Sequence, residues 1–358
     1  EINPLFSDSV YIDRLSRIPA IMEMPYNDII RKFIDMYAGR LRNQVSFMLS
    51  ACNFYMPIFE EALDAYGLPL ELRYLPIIES ALNPSAVSRA GASGLWQFMI
   101  GTGKIYGLES NSLVDERRDP IKATWAAARY LKEMYDIYGD WNLVIAAYNC
   151  GPGTINKAIR RANGETDYWK IYNYLPKETR GYVPAFIAAN YVMTYYCDHN
   201  ICPMETNIPA STDTVQVNKN LHFEQIADLC NVPLDQIKSL NPQYKKQMIP
   251  GDSKPYTLRL PIDAISTFID KQDTIYTHRA DELFRNRKTV AVKDITPATR
   301  KTTSAVAGKG NLTYYTIKSG DTLSTIARKY GVTIKDIQRW NGMSSTKIAA
   351  GKRLKIYK

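Results

Sequence analysis

Residues 70–97 read LELRYLPIIESALNPSAVSRAGASGLWQ, a helix-like half followed by a turn of small residues. Pro69 suits an early helical position and Asn83-Pro84 a stop, so a helix is predicted between them. Leu72, Leu75, Ile78 and Leu82 recur every three or four residues, the period of a buried helical face. Pro76 falls inside the run and predicts a kink. Glu79 borders the apolar face. A carboxylate among apolar side chains loses hydration, which favours its protonated form and lifts its pKa from roughly 4.3. Such a group can serve as a general acid near neutrality. Glu71, about two turns earlier, reads as a surface or capping charge. In the second half, Gly91 and Gly94 let backbone approach a ligand closely, Trp96 lines or supports a groove, and Gln97 offers an amide.

Ile78-Glu79-Ser80, then Gly94-Leu95-Trp96-Gln97, then Ala147-Tyr148-Asn149 follow in an order that resembles the motifs of the lytic transglycosylases related to goose-type lysozyme. The resemblance covers most of the chain. It implies a mainly α fold: a lysozyme-like α-helical catalytic domain followed by small α+β LysM modules of βααβ form. It also implies cleavage of the MurNAc-GlcNAc β-1,4 bond of peptidoglycan, leaving a 1,6-anhydromuramoyl end, with Glu79 acting first as acid and then as base. In that frame Tyr148 lines the saccharide groove and Asn149 positions substrate. Gln97 hydrogen-bonds a sugar, Tyr182 approaches the glutamate, and Ser93 hydrogen-bonds it. Cys150 departs from the family, which more often has a small residue such as Ala or Ser there.

A glycosidase ordinarily needs two carboxylates. Asp115-Glu116-Arg117-Arg118 reads as an exposed charged loop and Asp119-Pro120 as a helix start, so neither supplies an obvious second. Two other readings stay open: a lysozyme-type hydrolase, which a further acidic residue in the groove would favour, and a non-enzymatic wall-binding protein.

Beyond Cys202 the texture changes, with Pro203, Pro209 and Ser211-Thr212 marking a boundary. An internal repeat then appears at an offset of 100 residues, pairing Val215-Gln216-Val217 with Tyr315-Thr316-Ile317, Ile237 with Ile337 and Asn241 with Asn341. The second copy resembles a LysM module, which implies glycan binding around Gly320, Asp321, Thr322 and Asn341. The first copy has Lys219-Asn220-Leu221 where the second has Ser319-Gly320-Asp321, and without that Gly-Asp turn it reads as degenerate. The expected organisation is a helical segment over 1–66, a catalytic domain over 67–205 and a degenerate LysM-like module over 212–262. A helix and flexible basic linker follow over 263–311, then a LysM module over 312–358.

Net charge is +9, unevenly placed: residues 285–358 hold 17 Lys/Arg against three Asp/Glu. That basic quarter suits a polyanion or an anionic envelope surface, and no nucleic-acid motif accompanies it. The five cysteines and three histidines form no metal-ligand pattern, so no metal or other cofactor is expected. Cys197 and Cys202 are spaced to close a small loop in an oxidising compartment. No apolar run reaches the length of a membrane span. The expected partner is the peptidoglycan glycan strand, met by a monomer in the bacterial cell envelope, periplasmic or outer-membrane-associated. A signal peptide or lipid anchor would lie outside these residues.

Overall fold

The computed structural model describes residues 3–206, 208–209, 211–284, 312–318, 320–343, 345–346 and 348–357, and the latter part of the helix and linker expected over 263–311 lies outside them. The chain divides into two units, residues 1–295 and 296–358.

The first unit opens with helices α1 (Asp8–Ser16), α2 (Asp28–Ala38) and α3 (Arg42–Ala65). Asn27 caps α2, its Oδ1 accepting from the amides of Ile29 and Ile30, and Gly39 ends it as the sequence predicts. α3 carries Pro57 inside it. Val45, Met48, Tyr55 and Phe59 keep its inner face buried on both sides of Pro57, so packing holds the helix where one backbone hydrogen bond is missing. Then come α4 (Leu75–Ser80), α5 (Ile100–Ile105), α6 (Pro120–Tyr138), α7 (Trp141–Cys150), α8 (Pro152–Arg161), α9 (Tyr168–Ile171) and α10 (Lys177–Tyr195). Asp119 and Asp140 cap α6 and α7, and Gly139 closes α6 with a φ of 62°. α10 packs against α2, α4 and α7. One apolar core runs from Tyr11 through Phe59, Trp96, Ile145 and Phe186, joining the first 66 residues to the rest. His199 sits in it with Nδ1 2.8 Å from Asn3 Oδ1 and Nε2 3.2 Å from the Tyr191 hydroxyl. Burial lowers its pKa to about 4, which fits a neutral structural residue.

The first repeat belongs to the same unit. Its strands are β1 (Thr212–Val217), β2 (Asn220–His222), β3 (Met248–Pro250) and β4 (Tyr256–Pro261), with β1 antiparallel to β4 and β2 to β3. Helices α11 (Phe223–Cys230) and α12 (Leu234–Leu240) lie between β2 and β3 in sequence. The expected boundary at 262 is too early. α13 (Ile262–Asp270) and α14 (Gln272–Thr277) place Phe268 and Ile275 in the module's own core, and α15 (Ala280–Leu283) follows. What reads as a polar helix is three short ones.

The 115–118 loop is the largest departure from expectation. Asp115, Glu116 and Arg117 are buried, not exposed. Arg117 grips Asp115 through two hydrogen bonds of 2.8 Å, while Glu116 accepts from the Glu109 amide and pairs with Lys122. Charge density reads as solvent exposure until opposite charges two and six residues apart fold onto each other.

The second unit is a separate βααβ module of β5 (Leu312–Thr316), α16 (Leu323–Tyr330), α17 (Ile334–Asn341) and β6 (Arg353–Tyr357). Its core gathers Tyr315, Leu323, Ile326, Ile337 and Ile356. Asn341 donates to Ile337 O and Lys355 O and accepts from Lys355 N, just as Asn241 meets Ile237 and Arg259. The shared bonds show that the 100-residue register slips by four residues after the second helix.

Candidate active site

Glu79 sits near the end of α4, a six-residue helix entered through a 3₁₀ turn over Leu70–Tyr74. Pro76 lies in the first helical turn, where its missing N–H breaks no bond, so it starts the helix and does not kink it. The helix stops earlier than Asn83-Pro84. Ala81 and Leu82 both adopt left-handed backbone, with φ of 50° and 58°, and burial of the Leu82 side chain offsets that strain. Leu72, Leu75 and Leu82 are buried as predicted, with Ile77 in the place expected for Ile78. Glu71 is buried too, its Oε1 accepting from the Met22 amide at 2.8 Å, so it is an internal brace and not a surface charge.

Four hydrogen bonds fix Glu79 and its surroundings. Ser80 Oγ donates to Pro76 O and, at 2.9 Å, to Leu95 O, which ties α4 to the 94–97 turn. The Tyr148 hydroxyl donates to Trp96 O at 2.7 Å. The Tyr182 hydroxyl donates to Glu79 Oε1. Burial pushes the Glu79 carboxyl up to about 7; the Tyr182 hydrogen bond opposes that rise and the nearby charge of Glu178 adds to it. Burial also raises Tyr148 and Tyr182 well above the ordinary phenol range, so both remain O–H donors.

Two cavities meet at this carboxyl. One, of about 590 Å³, is walled by Phe33, Met36 and Tyr37 of α2. The other, of about 500 Å³, is walled by Phe98, Met99, Tyr130, Tyr148 and Asn149. Glu79, Ser88, Gln97 and Glu178 line both. Gln97 has a φ of 49°, and its Nε2 donates to Gly94 O and Ala86 O, leaving Oε1 to meet a ligand. Asn149 Oδ1 accepts from Thr179 Oγ1 at 2.9 Å. Cys150 also borders the second cavity, half-buried.

Not every expected residue reaches the site. Ser93 is fully buried; its Oγ accepts from Arg118 Nε at 3.0 Å and lines neither cavity, so the expected bond to Glu79 is not made. The side chain is drawn away by the same loop that reads as exposed. Trp96 supports the groove without lining it, donating from Nε1 to Thr124 Oγ1 at 2.8 Å inside the core. Glu178 is the residue that sequence reasoning passes over. It stands four residues before Tyr182 on α10, a spacing that puts both on one helical face and was available as a signal.

In the second unit, Gly320 has a φ of 88°, and Asp321 Oδ2 accepts from the Tyr315 hydroxyl and the Lys318 amide. Thr322 caps α16 in a reciprocal pair with Thr325. The polar groups of Asp321, Thr322 and Asn341 are therefore engaged within the module. A cavity of about 440 Å³ is lined by Asn341 with Ile317, Met343, Ile348 and Leu354 among others, and not by Asp321 or Thr322. The cysteines are free thiols, Cys197 and Cys202 included. No cluster of metal-binding side chains occurs among the described residues, and none of their helices is long and apolar enough to cross a membrane.

Comparison with known proteins adds the following. The family described as Transglycosylase SLT domain matches residues 56–171. The LysM-like domain of lytic transglycosylase MltD matches 211–277, and the LysM domain matches 315–356. The chain is 32% identical over 339 residues to membrane-bound lytic murein transglycosylase D of Escherichia coli K12, covering 94% of this chain and 70% of that one. It is 33% identical over 124 residues to the soluble lytic murein transglycosylase of the same organism, covering 33% and 19%. The crystal structure of the 70 kDa soluble lytic transglycosylase from Escherichia coli aligns at 29% identity and a TM-score of 0.35, over 40% of this chain and 24% of that one.

Proposed function

Because the chain belongs to the family of membrane-bound lytic murein transglycosylase D, we propose that it cleaves peptidoglycan strands at the MurNAc-GlcNAc β-1,4 bond and leaves a 1,6-anhydromuramoyl end. The observation that carries this reading is the Glu79 carboxyl at the meeting of two cavities, protonated up to about pH 7. A strand laid across both cavities brings one glycosidic oxygen to that proton. The carboxyl gives its proton to the leaving oxygen as the bond to C1 breaks, assisted by the substrate N-acetyl group. The carboxylate then takes the proton of the muramoyl C6 hydroxyl as O6 closes on C1, so no water is consumed and Glu79 ends as it began. Tyr182 orients the acid. Gln97, Tyr148 and Asn149 form the wall against which the sugars lie. The second LysM module tethers the enzyme to its polymer in the bacterial envelope, periplasmic or at the outer membrane, which raises local substrate concentration.

A second reading has one observation in its favour. Glu178 lines both cavities and would suit a base that activates water, giving lysozyme-type hydrolysis. Mass spectrometry of fragments released from purified peptidoglycan separates the two. Ends lighter by one water are expected; reducing ends would replace the proposal with hydrolysis.

The pH profile supplies a signed test of the acid. Activity needs Glu79 protonated, so kcat/KM is expected to fall about tenfold per pH unit above the Glu79 pKa. Tyr182→Phe removes a donor that favours the carboxylate, so the alkaline limb moves to higher pH. Glu178→Gln removes a like charge and moves it to lower pH. Limbs that stay together in all three proteins would remove Glu79 from the role.

A further inference from the structure

The two repeats build the stretch after their first strand differently. In the second, Ile317 exchanges backbone hydrogen bonds with Gly351 and Lys352, beside a 440 Å³ cavity lined by Asn341, Met343, Ile348 and Leu354. In the first, the chain after β1 continues into a second ladder, where Asn220 and Leu221 pair with Pro250 and Ile249 in β2–β3. Asp252 accepts from the Asn220 amide at 3.0 Å and from its Nδ2 at 2.6 Å. A Cβ on Gly251 would stand 2.2 Å from the Lys219 carbonyl oxygen, so the two backbones are in direct contact.

This module is joined to the catalytic half by backbone. Leu113 and Val114 enter its core. The Asp115 amide donates to Gln243 O at 2.9 Å, and the Lys245 amide to Leu113 O at 2.8 Å. Lys245 Nζ reaches Asn111 O at 2.7 Å, and Lys254 pairs with Glu109. Two residues past this seam, Arg117 holds Asp115 and donates from Nη1 to both Gly91 O and Phe98 O at 2.9 Å. Those carbonyls bracket residues 92–97, of which Ala92 and Gln97 border the groove, and Ser88 and Ala90, just before Gly91, border it too.

We infer that the first LysM-like module serves as a brace and not as a glycan anchor: through the 111–115 seam and Arg117, a positioning residue, it holds the 88–98 wall of the groove. The inference rests on the transglycosylase reading for what the groove accepts. Arg117 touches no substrate; it satisfies two carbonyls at once, and lysine has one nitrogen for both and for Asp115.

The test uses the full chain, with soluble uncrosslinked glycan strands as substrate and hydrogen exchange of the 88–98 amides as a readout independent of turnover. In Arg117→Lys, exchange at 88–98 is expected to accelerate and KM to rise about tenfold, with kcat within about threefold of the parent. The alkaline limb of the pH profile stays in place because Glu79 is untouched. A merely structural arginine would lower the melting temperature and leave KM and exchange at parental values, which overturns the inference. Should Arg117→Lys fail to fold, Lys245→Met combined with Glu109→Gln loosens the seam away from the groove. The same direction of change supports the inference, and parental KM and exchange overturn it. A parent protein that releases no fragments would instead sink the transglycosylase reading, while the exchange arm still decides whether the module braces the wall.

Discussion

Glu79→Gln is expected to lower fragment release from peptidoglycan by about 10³–10⁴-fold, the usual contribution of a positioned general acid together with its return stroke as base. The fold should survive. The parent carboxyl is neutral below about pH 7, so an amide of the same shape replaces a neutral acid, and the Tyr182 hydroxyl can donate to the amide oxygen. Stability should even rise at alkaline pH. The folded-state pKa of about 7 exceeds the ordinary glutamate value, so the folded protein binds the proton more tightly and loses stability as pH climbs from the ordinary value through 7. Glutamine has no charge to bury, and the gain at pH 8 is on the order of 1–3 kcal/mol. Thermal melts at pH 6 and pH 8 with product counting by mass spectrometry check both halves. A variant that keeps more than about a hundredth of parental turnover would disqualify Glu79 as the acid.

Gly94→Ala is expected to cost more than about 4 kcal/mol or to prevent folding. Two faults coincide there. The backbone is left-handed, with φ at 87°, and an added Cβ would lie 1.8 Å from the Arg117 carbonyl oxygen and 2.7 Å from its carbon. Neither atom can yield, because Arg117 is fixed by Asp115 and by the two carbonyls it holds. Gly107 separates the causes: its φ is 83°, yet nothing lies within 4 Å of the added atom. Gly107→Ala should therefore cost only about 1 kcal/mol. Urea melts of the two variants beside the parent measure the difference, and equal losses would show that the close approach is not the cause.

The sequence discloses the site unevenly, for physical reasons. Glu79, Gln97, Tyr148 and Asn149 are legible because each falls in a short motif next to a helix end or a glycine, where local geometry already directs the side chain. Tyr182 is legible only through the family pattern, and Glu178 one turn before it becomes visible once the helix is known. Helix caps at Asn27, Asp119 and Asp140 can be read residue by residue, since a cap is satisfied within three positions. The 115–118 loop cannot. Its burial depends on partners at Gly91, Phe98 and Gln243, far along the chain, and nothing local distinguishes a solvated charge cluster from an internal one. Ser93 fails for the same reason, because Arg118 claims it. Asn341 has the residue type of a ligand contact, but its three backbone bonds tie a helix to a strand.

The ladder joining Asn220–His222 to Met248–Pro250 bears on how the chain lets go of its polymer. Two repeats invite the arithmetic of divalent attachment, in which the second contact is intramolecular and release requires both to open together. On the inference drawn above, the first module adds no foothold, and the second module supplies the single one outside the catalytic groove. Dissociation from the wall then follows one off-rate, and an enzyme that must move on after each cut is better served by a grip that one event can undo.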